Sequence, residues 1–452
     1  MNKKHYFFLI GILAVHFLFL SVLKFTAWPE MLLWPYLITK GWLPYANIAI
    51  AHNPLMLFDL SVFFWIFGAG ILQLKIFTWA LILSFDVLVF VIVKKLWNIK
   101  TAFLALISFA VWNLFYDGNG LWFDLYMGVF AFCSFYFVKQ KKWIWSGIFW
   151  ALAFISKQTA IWFLLPIGYA LAQESKLRLE SFKKLTVGVI LIAIPFVLIM
   201  LLTGIFPSFW NWAVRFGVFT LPGSRGQIQL PDLKNLAVAV LPFSVFLFTN
   251  RKSGFPGLAL WAIAGALGAY PRFEFFHLQP AVPFLAIAVA LAFNNSKGKA
   301  GGKVKLTRSL AIFYILGSIY LFAGFFMRNF KEGVRFYEQD VKDVASFVNY
   351  NTSPGDKILV LNWWDSLYVL TDTLPAFDPW VPHLSWYMEE PGIQEKMVES
   401  LKTNSPKLIV LNPYTDFGLS AYIPEKVYNY VIENYRIFQK VDGVEILMQK
   451  DR

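Results

Sequence analysis

The sequence predicts a polytopic α-helical membrane protein of about eleven spans with a C-terminal extracytoplasmic α/β domain. Three observations carry this. Of 452 residues, 58% are hydrophobic and only 15% charged. Several apolar runs approach or exceed the about 20 residues, at about 1.5 Å rise each, that cross a bilayer as a helix. The charge is also segregated: residues 1–334 carry a net +19, whereas 335–452 carry −6. That pattern fits cytoplasmic-loop lysines ahead of an acidic outer domain, and not a nucleic-acid footprint.

The spans read as 6–24, 71–93, 101–116, 121–138, 143–157, 159–172, 185–203, 235–249, 256–270, 274–293 and 307–327. Met1 to Lys4 is a short basic start, and bulky neighbours after it favour an anchor over a cleaved signal peptide. With the N-terminus cytoplasmic, the inner loops hold Lys3, Lys4, Lys94, Lys95, Lys100, Lys139, Lys141, Lys142, Lys176, Arg178, Lys183, Lys184, Arg251, Lys252, Lys297, Lys299, Lys303, Lys305 and Arg308. The outer loops hold far fewer cations, and this asymmetry sets the orientation. Leu55 to Phe67 is apolar but too short to span. Counting it would put Lys94, Lys95 and Lys100 outside, so it reads as an interfacial or re-entrant helix in the first outer loop, 25–70.

Two domains follow: a membrane domain, 1–330, and an outer domain, 331–452. In the outer domain, Asp340 to Tyr350 has helical periodicity and Asn351 to Asp356 is a turn. Lys357 to Asn362 and Lys407 to Asn412 read as buried strands, separated by a helix near 391–403. A helix at 424–435 and a strand pair at 436–449 around Asp442-Gly443 complete the pattern. Trp363-Trp364-Asp365 and Trp380 to Trp386 are aromatic-rich, which suits a local core or a face for stacking sugars. The single cysteine, Cys133, excludes a disulfide within the chain and a cysteine metal site.

With this topology the unusual polar residues gather on the outer side. The first loop holds Glu30, Lys40, Tyr45, His52, Asn53 and Asp59; the second holds Tyr116, Asp117, Asn119 and Asp124. Lys157 and Gln158 end the fifth span, 204–234 carries Arg215, Arg225 and Asp232, and Arg272, Glu274 and His277 precede the tenth. Ionisable groups at membrane depth are costly and mark function or pairing. Glu30, in Trp28-Pro29-Glu30, is the candidate proton acceptor. Each also admits a structural role. Glu30 suits an interfacial acid, Lys157 a snorkelling cation, Arg272 a partner of Glu274 and His277 a satisfied buried histidine. Asp124 suits a helix start, Asp117-Gly118-Asn119-Gly120 a tight turn, and His52 a loop hydrogen bond. No compact metal motif or nucleotide-type glycine loop is present, so a soluble nucleotide donor is not supported.

The ordered set of motifs resembles the GT-C superfamily of membrane glycosyltransferases, which includes protein O-mannosyltransferases and the aminoarabinose transferases of lipid A. It comprises an acidic first loop, Gly41-x-x-Pro44-Tyr45, His52-Asn53-Pro54-Leu55, Trp122-Phe123-Asp124-Leu125, Ser156-Lys157-Gln158-Thr159 and the string Arg272 to Pro283. Many members carry Asp-Glu in the first loop; here it is Pro29-Glu30, so only Glu30 carries over. The resemblance implies inverting transfer of a sugar from a polyprenyl phosphate to a glycan, lipid or protein acceptor on the outer face. It implies Glu30 as base with Asp124 as second candidate, and Lys157, Arg272 and His277 at the lipid phosphate. Tyr45, His52 and Asp117 are further outer-loop candidates. No cofactor is certain, and a divalent metal, Mg or Mn, is the group left open. The partners expected are membrane lipid, donor and acceptor, with no nucleic acid. A transporter or flippase of a lipid-linked glycan and a non-catalytic scaffold are the alternative classes. The first would favour charges deep in spans and paired broken helices; the second would make the outer-loop acids dispensable.

Overall fold

A computed structural model describes residues 3–174, 177–224, 226–247, 255–295, 303–416 and 418–450. Of the charges read above, Lys176, Arg225, Arg251, Lys252, Lys297 and Lys299 lie outside the described residues, as do the side chains of Lys303, Lys305 and Arg308. Each of the eleven apolar runs is helical where described. Among the described residues five helices are long and apolar enough to cross a membrane: Lys3–Val22, Ile71–Leu96, Arg178–Leu202, Phe275–Asn294 and Ile312–Asn329. Shorter apolar helices include Ile99–Phe115, Trp143–Ser156, Gln158–Ala172, Leu233–Leu247 and Gly257–Ala269. Several of these are part 3₁₀, which rises about 2.0 Å per residue and so reaches further than its residue count suggests. Leu55–Phe67 is a 13-residue helix with the bounds read from its apolar run.

The chain divides into two compact units. The first comprises Met1–Phe25, Ile76–Leu198 and Gln229–Gly333. Its core is a continuous set of buried Phe, Leu, Ile and Ala side chains from most of its helices. Large apolar side chains such as Phe7, Ile10, Leu191 and Leu198 stay exposed, as lipid-facing positions require. Helices Trp143–Ser156 and Arg178–Leu202 cross with backbones in close approach. A Cβ on Gly147 would lie 2.1 Å from the Leu185 carbonyl oxygen, and one on Gly188 would lie 2.0 Å from that of Ile144. Small residues permit such crossings where lipid supplies no hydrophobic drive. Valine at Gly188 is therefore expected to lower the melting temperature in detergent, by the about 1–3 kcal/mol typical of overpacking or more. Gly11, with nothing within 4 Å of its would-be Cβ, is the control position. Equal melting of the two valine variants would contradict the crossing.

A buried ionisable pair joins two helices of this unit. His16 Nδ1 is 2.6 Å from Asp86 Oδ2, with both side chains at most 1% exposed. They come from Lys3–Val22 and Ile71–Leu96, and tie these two helices together.

The second unit comprises Thr26–Lys75, Ile199–Ile228 and Val334–Arg452. Its five-stranded sheet has the spatial order Leu374–Pro375, Lys357–Leu361, Leu408–Leu411, Val444–Gln449, Tyr435–Val441. The first three run parallel and the last two antiparallel to their neighbours. Leu408–Leu411 is buried at every position, as a central strand covered on both faces should be. Asp442 and Gly443 both take positive φ, 49° and 85°, and close the final hairpin as the sequence predicts. Helices Gln339–Asn351, Ile393–Asn404 and Glu425–Asn434 match the periodic segments.

The first-loop helix Pro29–Thr39 belongs to this unit and is fastened to the C-terminal region. The Tyr36 hydroxyl donates to Asp372 Oδ1 at 2.9 Å and to the Thr373 carbonyl at 3.1 Å. Lys40 Nζ lies 2.6 Å from Asp372 Oδ1. Further along the loop, Asn47 accepts from the Trp380 amide and Ala49 donates to the Trp380 carbonyl, both at 2.8 Å, as a short strand-like pairing.

Candidate functional site

Three of the sequence-predicted residues meet in the first unit: Asp124, Lys157 and His277. Asp124 is the second residue of helix Phe123–Lys139, where the helix dipole favours a negative charge. Lys157 follows helix Trp143–Ser156 in extended conformation, φ −154° and ψ 133°, which turns its side chain out of that helix. His277 lies on the 3₁₀ segment Phe275–Ala281. Lys157 Nζ donates to Asp124 Oδ2 at 2.5 Å. His277 Nδ1 lies 2.9 Å from the same oxygen and 3.1 Å from Lys157 Nζ. Side-chain exposure is 0% for Asp124, 4% for Lys157 and 12% for His277, so histidine is the most open of the three.

Nδ1 of His277 has one role at a time. It accepts from the Lys157 ammonium, leaving Nε2 as a donor, or it donates to Asp124, leaving Nε2 as an acceptor. Either way Asp124 is committed to Lys157 as its counter-charge. Its other oxygen, Oδ1, is buried and has no hydrogen-bond partner among the described residues. The carboxylate and the imidazole together satisfy the Lys157 amine in an apolar surrounding, where an unpaired charge is costly.

The segment carrying His277 is pressed home by features the sequence reading missed. Gln279 Nε2 donates to the Tyr116 carbonyl at 2.9 Å. A Cβ on Gly265 would come within 2.6 Å of the Ala281 amide nitrogen. Gly268 faces Thr159 and the Asp124 Oδ1 at ordinary contact distance, leaving that oxygen uncovered by any side chain of its own. These glycines lie in an apolar, helix-like stretch, and only the packing distinguishes them from filler.

Of the remaining candidates of this unit, Arg272 lies near enough to His277 for its charge to act on that residue. Arg272 Nη2 is 3.8 Å from Glu274 Oε1, on a strand-like stretch bonded to Gln229. Asp117 takes φ 53° in the turn 117–120. The chemistry of that turn belongs to Asn119, whose amide donates to the carbonyls of Leu20, Leu23 and Lys24 at 2.9–3.0 Å and closes the end of helix Lys3–Val22.

Glu30, Tyr45 and His52 lie in the second unit. Glu30 is the second residue of helix Pro29–Thr39, partly exposed, after Pro29 at the position where a missing amide hydrogen costs nothing. Tyr45 is buried with φ 66°, and its hydroxyl donates to the His52 carbonyl at 2.8 Å. That bond involves the His52 backbone and not its imidazole. The Glu30 charge acts on Asp365 and on Tyr387, raising both. Among the described residues no three His, Cys, Asp or Glu side chains converge on one point.

Comparison with known proteins bears on this arrangement. Residues 51–201 match the family described as dolichyl-phosphate-mannose-protein mannosyltransferase, a segment that contains Asp124 and Lys157. No curated protein sequence matches the chain. Among solved structures it is similar to ArnT from Cupriavidus metallidurans bound to undecaprenyl phosphate. The TM-score is 0.66 at 12% identity, over 99% of this chain and 98% of that one. The chain has the fold of GT-C glycosyltransferases. The GT-C fold also relates it to the oligosaccharyltransferase AglB of Archaeoglobus fulgidus, solved with an inhibitory peptide and a dolichol-phosphate. There the TM-score is 0.54 at 11% identity, over 100% of this chain and 75% of that one. The arabinofuranosyltransferase AftD from Mycobacteria matches with TM-score 0.55 at 10% identity, over 100% of this chain and 40% of that one. The GT-C fold is thus the one that the ordered motifs resemble.

Proposed function

We propose that the protein is an inverting glycosyltransferase that moves a sugar from a polyprenyl-phosphate donor to an acceptor hydroxyl on the outer face of the membrane. The observation that carries this is the buried Asp124–Lys157–His277 cluster, a cation held in an apolar unit of a GT-C-fold chain. The ArnT and AglB structures contain undecaprenyl phosphate and dolichol-phosphate, which supports a lipid phosphate as the ligand class. All eleven helical runs cross the membrane in this reading, the N-terminus is cytoplasmic, and the α/β domain at 331–452 is extracytoplasmic.

In the reaction, the acceptor oxygen bonds to the anomeric carbon as the carbon–oxygen bond to phosphate breaks from the opposite face. The bonding pair leaves with the lipid phosphate, and the acceptor proton passes to Glu30. Lys157 and Arg272 neutralise the phosphate, His277 donates a hydrogen bond to it, and Asp124 keeps Lys157 aimed. The acceptor is a glycan, lipid or protein hydroxyl.

The test is transfer of labelled sugar from a panel of polyprenyl-phosphate sugars into acceptors, in membranes with and without the protein. Label is expected in acceptors only where the protein is present. Folded protein that moves no label from any donor would sink the reading.

A further inference from the structure

The second unit holds a guanidinium beside the start of the helix that carries Glu30. The Arg335 carbonyl accepts from the Ala27 amide at 3.3 Å, which lays residue 335 alongside Trp28. The Arg335 guanidinium lies 5.2 Å over the Trp28 ring and 4.7 Å over the Phe336 ring. These two rings are 5.2 Å apart, and Phe336 is backed in turn by Trp364, 4.8 Å away at an interplanar angle of 67°. Phe336 takes φ 66°. A bulky side chain adopts that left-handed conformation only where its surroundings enforce it, and such residues gather at binding places. Arg335 itself is exposed, and among the described residues no ion pair or side-chain hydrogen bond engages it. Arg215 and Arg272 differ: each has a carboxylate partner, Glu390 at 2.6 Å and Glu274 at 3.8 Å. An exposed arginine ordinarily samples many rotamers; this one is ordered by aromatic rings and not by a carboxylate. Stacking occupies the faces of the planar guanidinium and leaves its N–H donors along the edge.

We propose that Arg335 is a substrate-recognition residue: its guanidinium binds an oxyanion, a phosphate or a carboxylate, carried by the acceptor, and so delivers the acceptor hydroxyl to Glu30. This rests on the reading of Glu30 as base. Trp28 is the N-cap of helix Pro29–Thr39, and Glu30 is the second residue of that helix. Two peptide units separate Trp28 from Glu30, so their Cα atoms lie within about 7.6 Å of each other. A base must reach the hydroxyl that it deprotonates, so what binds beside Trp28 is the acceptor. The guanidinium fork matches two oxygens of a phosphate or carboxylate, and a fork ordered beforehand loses little freedom on binding. The oxyanion itself is unchanged by the reaction; only the hydroxyl proton moves, to Glu30. An oxyanion near the Glu30 carboxylate is repelled by it, and the Arg335 cation offsets that repulsion.

The experiment uses the full chain in detergent and compares wild type, Arg335→Met and Arg335→Lys. Methionine keeps an apolar stem against Trp28 and Phe336 and removes the charge. Lysine keeps the charge and removes the fork. Three probes are titrated: dihexanoyl phosphatidic acid, glucose 6-phosphate and glucuronate. Wild type is expected to bind at least one, and Arg335→Met to bind it about tenfold or more weakly, as loss of a charge-assisted pair gives. Arg335→Lys is expected to fall between them, and it decides alone where Arg335→Met does not fold. Preference for the phosphatidic acid marks a lipid-borne oxyanion, and preference for a sugar probe marks a glycan-borne one. No binding of any probe, equal binding by wild type and Arg335→Met, or Arg335→Lys at wild-type affinity overturns the proposal. In the transfer assay, Arg335→Met is expected to raise the acceptor KM about tenfold and to leave the saturated rate and the donor KM unchanged. An unchanged acceptor KM overturns the proposal, and a lowered saturated rate beside it would make Arg335 a clamp on the helix start. If wild type binds a probe through Arg335 and transfers no sugar, the proposed function fails and the oxyanion site stands.

Discussion

Glu30→Gln abolishes transfer in the expected result, lowering kcat by about 10²–10⁴-fold, the usual contribution of a positioned base. The amide keeps the shape of the side chain and removes its basicity. It also removes the charge at the second position of helix Pro29–Thr39, an effect of only about 0.3–1 kcal/mol. Donor affinity is expected to stay within about threefold, because none of the groups proposed to bind phosphate is changed. Single-turnover kinetics with labelled donor, alongside an equilibrium binding measurement, separates the two. A variant that turns over at the wild-type rate would place the base elsewhere. A variant that loses donor binding in step with turnover would make Glu30 a binding group.

The second large effect concerns the buried cluster. Lys157→Met strips Asp124 of its ammonium and leaves only His277 beside a carboxylate that is 0% exposed. Breaking a buried pair by removing one partner costs about 3–5 kcal/mol, because the surviving charge has no water to return to. Asp124→Asn leaves the complementary problem, a buried ammonium facing an amide. The double replacement removes both charges, and its melting temperature in detergent is expected to recover most of what either single variant loses. Transfer is expected to be absent in the single Lys157 variant and in the double. Stability restored without activity would separate the part of the cluster that holds the fold from the part that meets phosphate. Two single losses that simply add in the double variant would mean the side chains act independently, against the 2.5 Å contact between them.

Much of the architecture was legible because it rests on period and length. The apolar runs became helices with ends close to those expected, and the 13-residue Leu55–Phe67 kept its bounds. The strands Lys357–Leu361 and Leu408–Leu411 followed from uninterrupted apolar residues. The short strand Leu374–Pro375 and helices Ser366–Leu370 and Ser385–Met388 did not, since a few residues carry no period. The candidate site residues were legible as types and as places along the chain. Their meeting was not: Asp124, Lys157 and His277 lie on three separate elements, and spacing says nothing about which helices adjoin. Asn119 was read through the turn it sits in, while its chemistry is to bind the free carbonyls of another helix.

The pair His16–Asp86 bears on how the chain enters the membrane. A lone aspartate near the middle of a spanning helix costs about 2.5–3.5 kcal/mol on insertion scales. The helix bearing Asp86 emerges from the ribosome after the one bearing His16, with the long stretch 23–70 between them. The earlier helix thus awaits the later one as a receptor inside the bilayer, and its imidazole removes the reason for the aspartate to slip back. A chain whose first helix is lost leaves that aspartate without its imidazole partner, and the later helix then carries the full insertion cost alone.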